Sequence, residues 1–188
     1  MKVIALYKNL DRLVEQAKTN SRSAQHQLYE LLAPKMLSAC RQYIKDLTVA
    51  EEVMLSGFLK VFTNINSFAF KGSFEGWVRR IMVREAISYL RKKKPIHFSD
   101  VEMDNLQEVS TSYLDSDIET DYIQQSIDSL PEGYRLVFVM YVVEGYKHAE
   151  IASLLTISES TSKSQLFKAR KMLQQKLNAL NKSHYGTH

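Results

Sequence analysis

Apolar residues recur at intervals of three and four positions along most of this 188-residue chain, which is the spacing of amphipathic helices. Stretches that alternate apolar and polar residues, as half-buried strands do, are hard to find. Glycine and proline are sparse, at 6 and 3 residues, so few turns interrupt the pattern. The pattern predicts an all-α protein, with two small helical domains at residues 1–94 and 118–188 and a linker over residues 95–117.

Five helices are predicted in the first half of the chain. One covers residues 4–18, and a second follows a cap at Ser21 or Ser23. A third is expected to start at Pro34, because proline fits the first turn of a helix. The fourth, over residues 50–62, is apolar almost all round, which indicates burial on more than one side or a surface for a partner.

The fifth predicted helix, over residues 74–94, carries a row of basic residues. Spacings of four, four and three place these residues on one face: Arg80, Arg84, Ser88 and Arg91. We call its three basic members the arginine stripe. The preceding loop, residues 63–73, holds aromatic and asparagine side chains, and bases of single-stranded nucleic acid stack on such rings. An ordinary place in the core is the alternative for Phe74 and Trp77.

The second half opens with an amphipathic helix that starts near residue 118. Ser129 and Glu132 have the spacing of a capping box, and Pro131 suits the first turn of the helix that follows. That helix, over residues 134–143, is apolar enough for a core position.

Residues 145–171 have the pattern of two short helices joined by a tight turn. Ser158 is a good N-cap for the second helix, which is expected to end near residue 180. Six of its residues are predicted to face outward: Thr161, Lys163, Ser164, Gln165, Phe167 and Lys168. In a helix-turn-helix, the second helix enters the major groove of DNA.

The chemistry of these six side chains suits DNA. Lys163 and Lys168 can reach phosphates or guanine edges. Ser164 and Gln165 can hydrogen-bond to base edges, and Phe167 can touch a thymine methyl group. An ordinary helical hairpin with a solvated, mildly basic face is the alternative.

Charge is distributed unevenly along the chain. Residues 1–94 carry 17 basic and 8 acidic side chains, and residues 135–188 carry 8 and 3. Between them, residues 95–134 carry 10 acidic side chains and no lysine or arginine. Two basic bodies suit a polyanion, whereas the acidic segment is expected to lie on a basic surface or away from the polyanion.

Other classes of protein fit the sequence poorly. No run approaches the ~20 apolar residues of a membrane span, and the first residues become charged too soon for a secretory signal. The single cysteine, Cys40, is predicted to be a buried structural thiol. The histidines lack ligand spacing and no carboxylates are paired, so we expect no enzyme, no metal and no cofactor. These features together predict a cytoplasmic protein without direct membrane insertion.

Short motifs in both halves carry a family resemblance. In the second half they are Leu130-Pro131, Tyr134-Arg135, Glu144-Gly145-Tyr146, Glu150-Ile151-Ala152, Ile157-Ser158, Thr161, Lys163-Ser164 and Ala169-Arg170-Lys171. In the first half they are Tyr29, Ala33-Pro34, Ala50-Glu51-Glu52, Phe58, Gly72-Ser73-Phe74, Trp77, Arg80-Ile81 and Tyr89-Leu90-Arg91. Over roughly residues 20–180 the chain resembles the extracytoplasmic-function (ECF) group of RNA polymerase sigma factors, within the sigma-70 family.

The resemblance implies a promoter-specificity subunit that has no catalysis of its own. Its N-terminal domain would bind core RNA polymerase and would capture and melt the downstream promoter element. Its C-terminal domain would read the upstream element in the major groove, and the linker would run through polymerase channels. Whether an anti-sigma factor holds the protein inactive is left open by the resemblance.

The resemblance and the pattern together assign three groups of residues. The six outward residues of the second helix are assigned to contacts with the upstream element. Contacts with the downstream element and its melting are assigned to Asn64, Phe68, Phe70, Lys71, Trp77, Arg80, Arg84 and Arg91. Binding of polymerase is assigned to Glu51, Glu52, Leu55 and Phe58.

Six positions depart from what is common in the family. Leu55-Ser56 makes the polymerase-binding helix more apolar, and Arg84 stands where asparagine is common. Thr156 replaces a turn glycine, so a strained backbone is expected there. Ser162 replaces a valine on the inner side of the second helix. Gln165 stands where arginine is often found, which favours a contact with adenine over one with guanine.

A stand-alone helix-turn-helix regulator, whose N-terminal half serves dimerisation or sensing, is the alternative function. The arginine stripe and the aromatic loop would be unusual in such a sensing domain.

Overall fold

The computed structural model of the protein describes residues 2–93, 98 and 120–185. All regular elements within these ranges are helical, which confirms the predicted class. The chain divides into two compact units, Met1–Lys94 and Pro95–His188, which we call unit 1 and unit 2. The predicted linker, residues 95–117, lies outside the described residues except for Phe98.

Unit 1 is built around one long helix. Its elements are α1 (Lys2–Lys18), α2 (Arg22–Tyr43), α3 (Leu47–Thr63), a 3-10 turn (Ile65–Ser67) and α4 (Phe74–Lys93). Helix α2 packs against α1, α3 and α4. Asp46 caps α3 by accepting a hydrogen bond from the amide of Val49 at 3.1 Å.

The prediction of a separate helix from Pro34 is wrong, because α2 continues through this residue. Ser21 caps α2 by accepting a hydrogen bond from the amide of Ala24 at 3.3 Å. Pro34 is exposed, whereas the buried residues keep helical spacing on both sides of it: Leu28, Leu32, Met36, Ala39, Cys40 and Tyr43. Packing of this continuous apolar face outweighs the hydrogen bond that proline cannot donate.

The interior of unit 1 is close-packed where α3 meets α4. A Cβ atom added at Gly57 would lie 2.3 Å from the sulfur of Met82, so a side chain larger than hydrogen forces Met82 to move. Cys40 is 1% exposed, and burial raises its pKa to about 12. The prediction of a buried, unreactive thiol is therefore confirmed.

Unit 2 comprises α5 (Thr120–Asp128), α6 (Glu132–Phe138), a π-helical segment (Val139–Val143), α7 (His148–Leu155) and α8 (Glu159–Tyr185). Helix α8 packs against α5, α6 and α7. Helix α8 ends at Tyr185, beyond the predicted end near residue 180. Between the π-helical segment and α7, Gly145 adopts a positive φ of 74°, which glycine allows without strain.

The predicted capping box at Ser129 and Glu132 is wrong. Pro131 occupies the N-cap of α6, and no side chain caps that end. The hydroxyl of Ser129 instead donates to the carbonyl of Ser126 at 2.6 Å, which closes the end of α5. The hydroxyl is thus engaged with the preceding helix.

None of the helices in the described parts of the chain is both long and apolar enough to cross a membrane.

Candidate nucleic-acid interfaces

The turn between α7 and α8 has a strained backbone, as the sequence predicted. Thr156 adopts the left-handed conformation, with φ of 58° and ψ of 49°. This conformation is unfavourable for a β-branched residue, and it ends α7 sharply. Ser158 then caps α8 by accepting a hydrogen bond from the amide of Thr161 at 3.0 Å, so its predicted role is confirmed. These two residues fix where α8 begins after the turn.

The outward face of α8 is narrower than predicted. Lys163 is exposed, and Thr161, Phe167 and Lys168 are partly exposed. Two further predictions are wrong, because Ser164 is 8% exposed and Gln165 is 0% exposed. The hydroxyl of Ser164 donates to the carbonyl of Thr161 at 2.9 Å, which turns it back onto the helix.

Gln165 is buried because of its position on the helix. It lies three residues after Ser162 and four before Ala169, and both of these are fully buried. Residues at such spacing share one face, so the inner face of α8 consists of Ser162, Gln165, Leu166, Ala169 and Leu173. The same spacing, applied to Gln165 in the sequence, would have identified it as an inward residue.

The inner face of α8 is polar where it meets the start of α7. Ser162, 0% exposed, lies with its hydroxyl 2.8 Å from Nδ1 of His148. The ring of Tyr141 stacks on the ring of His148, with centroids 4.6 Å apart. Burial lowers the pKa of His148, and the positive charges of Lys163 and Arg170 lower it further. The contact between His148 and Ser162 therefore joins α7 to α8.

One basic residue on the outer side of α8, Arg170, was not among the predicted residues. It is exposed, and spacings of four and three residues place it on the same face as Lys163 and Phe167. Its guanidinium lies 5.8 Å from the centroid of the Tyr141 ring. The basic face of α8 thus extends two residues beyond Lys168, the last residue predicted for it.

In unit 1, the arginine stripe lies on the surface of α4. Its three members are exposed: Arg80, Arg84 and Arg91. The one acidic residue near the middle of the helix, Glu85, forms an ion pair with Lys60 of α3 at 2.5 Å. The opposite side of α4 is apolar and buried at Val78, Met82 and Ala86. The spacing rule therefore predicted the exposure of the stripe correctly.

An aromatic cluster joins the loop to the start of α4. Phe68 is 4% exposed, so its predicted place on an open surface is wrong. Its ring packs against Phe70, Phe74 and Trp77, with centroids 4.9, 5.2 and 5.6 Å away. Phe74 is 2% exposed and is a core residue, which confirms the alternative for it, whereas Trp77 is partly exposed.

The remaining loop residues of the predicted site are exposed. Phe70 is 38% exposed and adopts a positive φ of 56°. Lys71 and Asn64 are exposed, and the side-chain amide of Asn64 donates to the carbonyl of Lys60 at 2.9 Å. Asn64 therefore closes the end of α3, while Phe70 and Lys71 are exposed and Trp77 is partly exposed.

The predicted polymerase-binding residues also separate by burial. Phe58 is 3% exposed, so its ring belongs to the core of unit 1, and its assignment to polymerase binding stays a prediction. Its ring meets those of Tyr29 and Phe62, with centroids 4.8 and 6.0 Å away. Helical spacing carries it to the inner side, while Glu51 and Glu52 lie outside.

The outer side of α3 exposes large apolar side chains. Leu55 and Leu59 are 54% and 70% exposed, and Leu47 is 55% exposed. A repeat of four residues connects them along one side, which we call the α3 face: Leu47, Glu51, Leu55 and Leu59. Large apolar side chains exposed along one side of a helix make that side a candidate for contact with a partner. Leu59 was not among the predicted residues.

No group of three or more histidine, cysteine, aspartate or glutamate side chains within the described ranges is placed to hold a metal ion.

Two family models match this chain, and each lies almost entirely within one of the two units of the structure. The family model Sigma-70 region 2 matches residues 28–96, and Sigma-70, region 4 matches residues 120–173. The ECF RNA polymerase sigma factor SigW of Bacillus subtilis is 26% identical over 183 residues, which covers 91% of this chain and 98% of that protein. The ECF RNA polymerase sigma-E factor of Escherichia coli strain K12 is 26% identical over 180 residues, covering 89% and 94%.

A solved structure is similar in fold. The sigma factor RpoE from Bartonella quintana, in complex with the anti-sigma factor NepR, aligns with a TM-score of 0.53 at 19% sequence identity. The alignment covers 81% of this chain and 96% of that one.

Proposed function

Since the chain belongs to the extracytoplasmic-function group of the sigma-70 family, we propose that its two units read two separate elements of one promoter. It is an alternative sigma factor, which binds core RNA polymerase and directs initiation at specific promoters. The assignments of unit 1 to the downstream element and of unit 2 to the upstream element are part of the proposal.

Unit 1 captures the melted strand of the downstream element. The observation that carries the proposal is the exposed arginine stripe, which runs along α4 from the partly exposed Trp77. Cationic side chains follow the phosphates of a strand, while aromatic rings stack on its bases. Phe70 and Lys71 of the preceding loop are exposed and add a second ring and a further charge.

Unit 2 reads the duplex of the upstream element with the outer face of α8. Lys163, Phe167 and Arg170 share that face, and Thr161 lies at its N-terminal end. N-terminal residues of a recognition helix contact base edges in the major groove. The burial of Gln165 removes it from direct base contact, so Lys163 is the principal candidate for reading a guanine.

The α3 face binds the core enzyme. Its leucines supply apolar contact area, and Glu51 together with the adjacent Glu52 supplies negative charge for a basic partner surface. Replacing Leu59 by serine should weaken co-purification with core polymerase and leave the unfolding midpoint unchanged, because the side chain is exposed. Leu31→Ser, at a residue of α2 that is 44% exposed, is the matched control. Equal loss by the two variants would contradict the assignment.

The acidic segment and the cellular location complete the proposal. Residues 95–134 carry a strong negative charge, which suits basic walls of polymerase channels that otherwise hold nucleic acid. A subunit of polymerase acts where the chromosome is, so the protein works in the cytoplasm. As a sigma factor, it contributes no catalytic group of its own.

The decisive experiment measures promoter binding with and without core polymerase. Promoters are first located by mapping transcript starts after overexpression. We expect tight and specific binding only by the complex, and melting of the downstream element detected by permanganate reactivity. Tight, specific binding by the isolated chain would instead support the stand-alone regulator, which the match to two sigma-70 regions does not favour.

A further inference from the structure

Lys18, the last residue of α1, contacts a loop that lies 50 residues further along the chain. Its Nζ atom donates a hydrogen bond to the carbonyl oxygen of Phe68 at 2.8 Å. The same atom lies 4.4 Å from the centroid of the Phe70 ring, within the range of a cation–π interaction. One ammonium group thus contacts two residues of the loop between α3 and α4.

The loop is strained at the residue that Lys18 contacts. Phe70 has a φ of 56°, a conformation that bulky side chains avoid. Such a conformation persists only where the surroundings hold it, and strained residues cluster at binding sites. Phe70 also leaves 38% of its surface exposed, so the strain does not serve to bury an apolar ring.

Contacts connect Lys18 to the proposed strand-binding surface. The Phe70 ring lies 4.9 Å from the ring of Phe68, which in turn lies 5.6 Å from Trp77 at the start of α4. The ring of Phe68 therefore contacts both the exposed Phe70 and the partly exposed Trp77, and its carbonyl accepts the lysine hydrogen bond. A change at Lys18 acts on both rings through this residue.

We propose that Lys18 is a positioning residue for capture of the melted strand. Lys18 holds the loop in the shape that presents the Phe70 ring to an unpaired base. This inference rests on the proposed role of unit 1. The ammonium group acts on the loop, because a carbonyl oxygen and a ring occupy its near surroundings. A loop that is already ordered loses less conformational entropy when the strand binds.

The first measurement is binding of a labelled single strand by the complex with core polymerase. The probe is the non-template strand of the downstream element of a mapped promoter. Lys18→Met keeps the apolar stem but removes the donor and the charge, and we expect about tenfold weaker binding. Lys18→Arg keeps a cationic donor and should remain within about twofold of the natural protein.

Lys35→Met is the matched control. Lys35 forms an ion pair with Glu75 of α4 at 2.8 Å, in the same unit but on α2. This substitution removes the same charge and a bond of equal length, without a contact to Phe68 or Phe70. We expect a change of less than about twofold, since exposed ion pairs contribute little. An equal loss from Lys35→Met would overturn the proposal, because the effect would then be one of net charge.

A thermodynamic cycle and a spectroscopic signal separate positioning from general stability. In the Phe70→Leu background, Lys18→Met should weaken binding less than it does alone, because part of the contact is already gone. Trp77 is the one tryptophan of the chain, so its fluorescence reports on the loop in the free full-length protein. Lys18→Met should make it more accessible to acrylamide while the unfolding midpoint stays within a few degrees, and Lys18→Arg should restore the protection.

Two results distinguish failure of this inference from failure of the proposed function. Normal strand binding by Lys18→Met, or effects that simply multiply in the double variant, would overturn the role of Lys18 and leave the arginine stripe untouched. Failure of the natural complex to bind the single strand would overturn the role of unit 1, and the inference with it.

Discussion

Helices α4 and α8 both present basic side chains to solvent, but the sequence predicted their surfaces with unequal success. On α4, all three members of the arginine stripe are exposed. On α8, two of the six residues assigned to the outside are buried, Ser164 and Gln165. The stripe was derived from spacings of four and three, whereas the six residues of α8 lie within a run of eight that samples every side of a helix. Spacing identifies a helix face better than polarity does.

The interiors behind the two surfaces also differ. The inner side of α4 is filled by apolar residues such as Val78 and Met82. The inner side of α8 includes Ser162 and Gln165, and Ser162 lies within hydrogen-bonding distance of His148. We therefore expect substitutions at the buried positions of α8 to lower stability, and substitutions in the exposed arginine stripe to act on binding alone.

The largest effect is expected from removing the whole arginine stripe. The triple substitution Arg80→Ala, Arg84→Ala and Arg91→Ala should reduce promoter opening on the order of a hundredfold, because three phosphate contacts are lost. The slope of log affinity for the single strand against log salt should fall by about 2. Permanganate reactivity and salt titrations measure the two effects. A control removes three exposed charges elsewhere in unit 1: Arg12→Ala, Arg22→Ala and Lys45→Ala.

The next effect concerns the outer face of α8. Lys163→Ala should weaken upstream-element binding by ~1–3 kcal/mol if its contact is with a base edge, and by less if it meets only phosphate. Binding of the polymerase complex to promoter variants measures the loss and its dependence on sequence. Lys171→Ala, at an exposed residue two turns later, is the control. Unchanged promoter output would remove Lys163 from the interface.

Gln165 provides the sharpest contrast with Lys163. Gln165→Ala leaves a cavity in the inner face of α8, so the free energy of unfolding should fall by ~1–3 kcal/mol while the promoter preference stays the same. Lys163→Ala should change stability by less than ~0.5 kcal/mol, as an exposed substitution does. Denaturant unfolding monitored by circular dichroism tests both. A changed base preference for Gln165→Ala would show that the helix turns this residue outward on DNA.

The smallest effect is a pH dependence of the same helix junction. The folded protein holds the pKa of His148 below its ordinary value of 6.5, mainly because of burial. The unfolded chain then binds a proton more readily, so the stabilising contribution is complete above pH 6.5 and is lost as the pH falls through the folded pKa. Comparison of unfolding curves with His148→Gln isolates this contribution. His26→Gln, at an exposed residue of unit 1, is the control substitution.

Local rules predicted the framework of both interfaces. Helical spacing gave the exposed arginine stripe. The family resemblance, which has a turn glycine where this chain has Thr156, predicted a strained backbone, and the structure contains a left-handed one there. Ser158 was identified as a cap from its side chain and position alone. These features depend on contacts within a few residues, so the sequence contains all the information that decides them.

Local and non-local features of this protein were decided at different levels. The sequence by itself determined that the chain is all helical and where the basic faces begin, because periodicity and turn residues act locally. Only the tertiary structure decided that α2 continues through Pro34, that the rings of Phe58 and Phe68 turn inward, and that Lys18 supports a loop 50 residues away. These outcomes follow from the burial of a shared apolar surface between helices, and no single segment contains the partner against which its side chains pack.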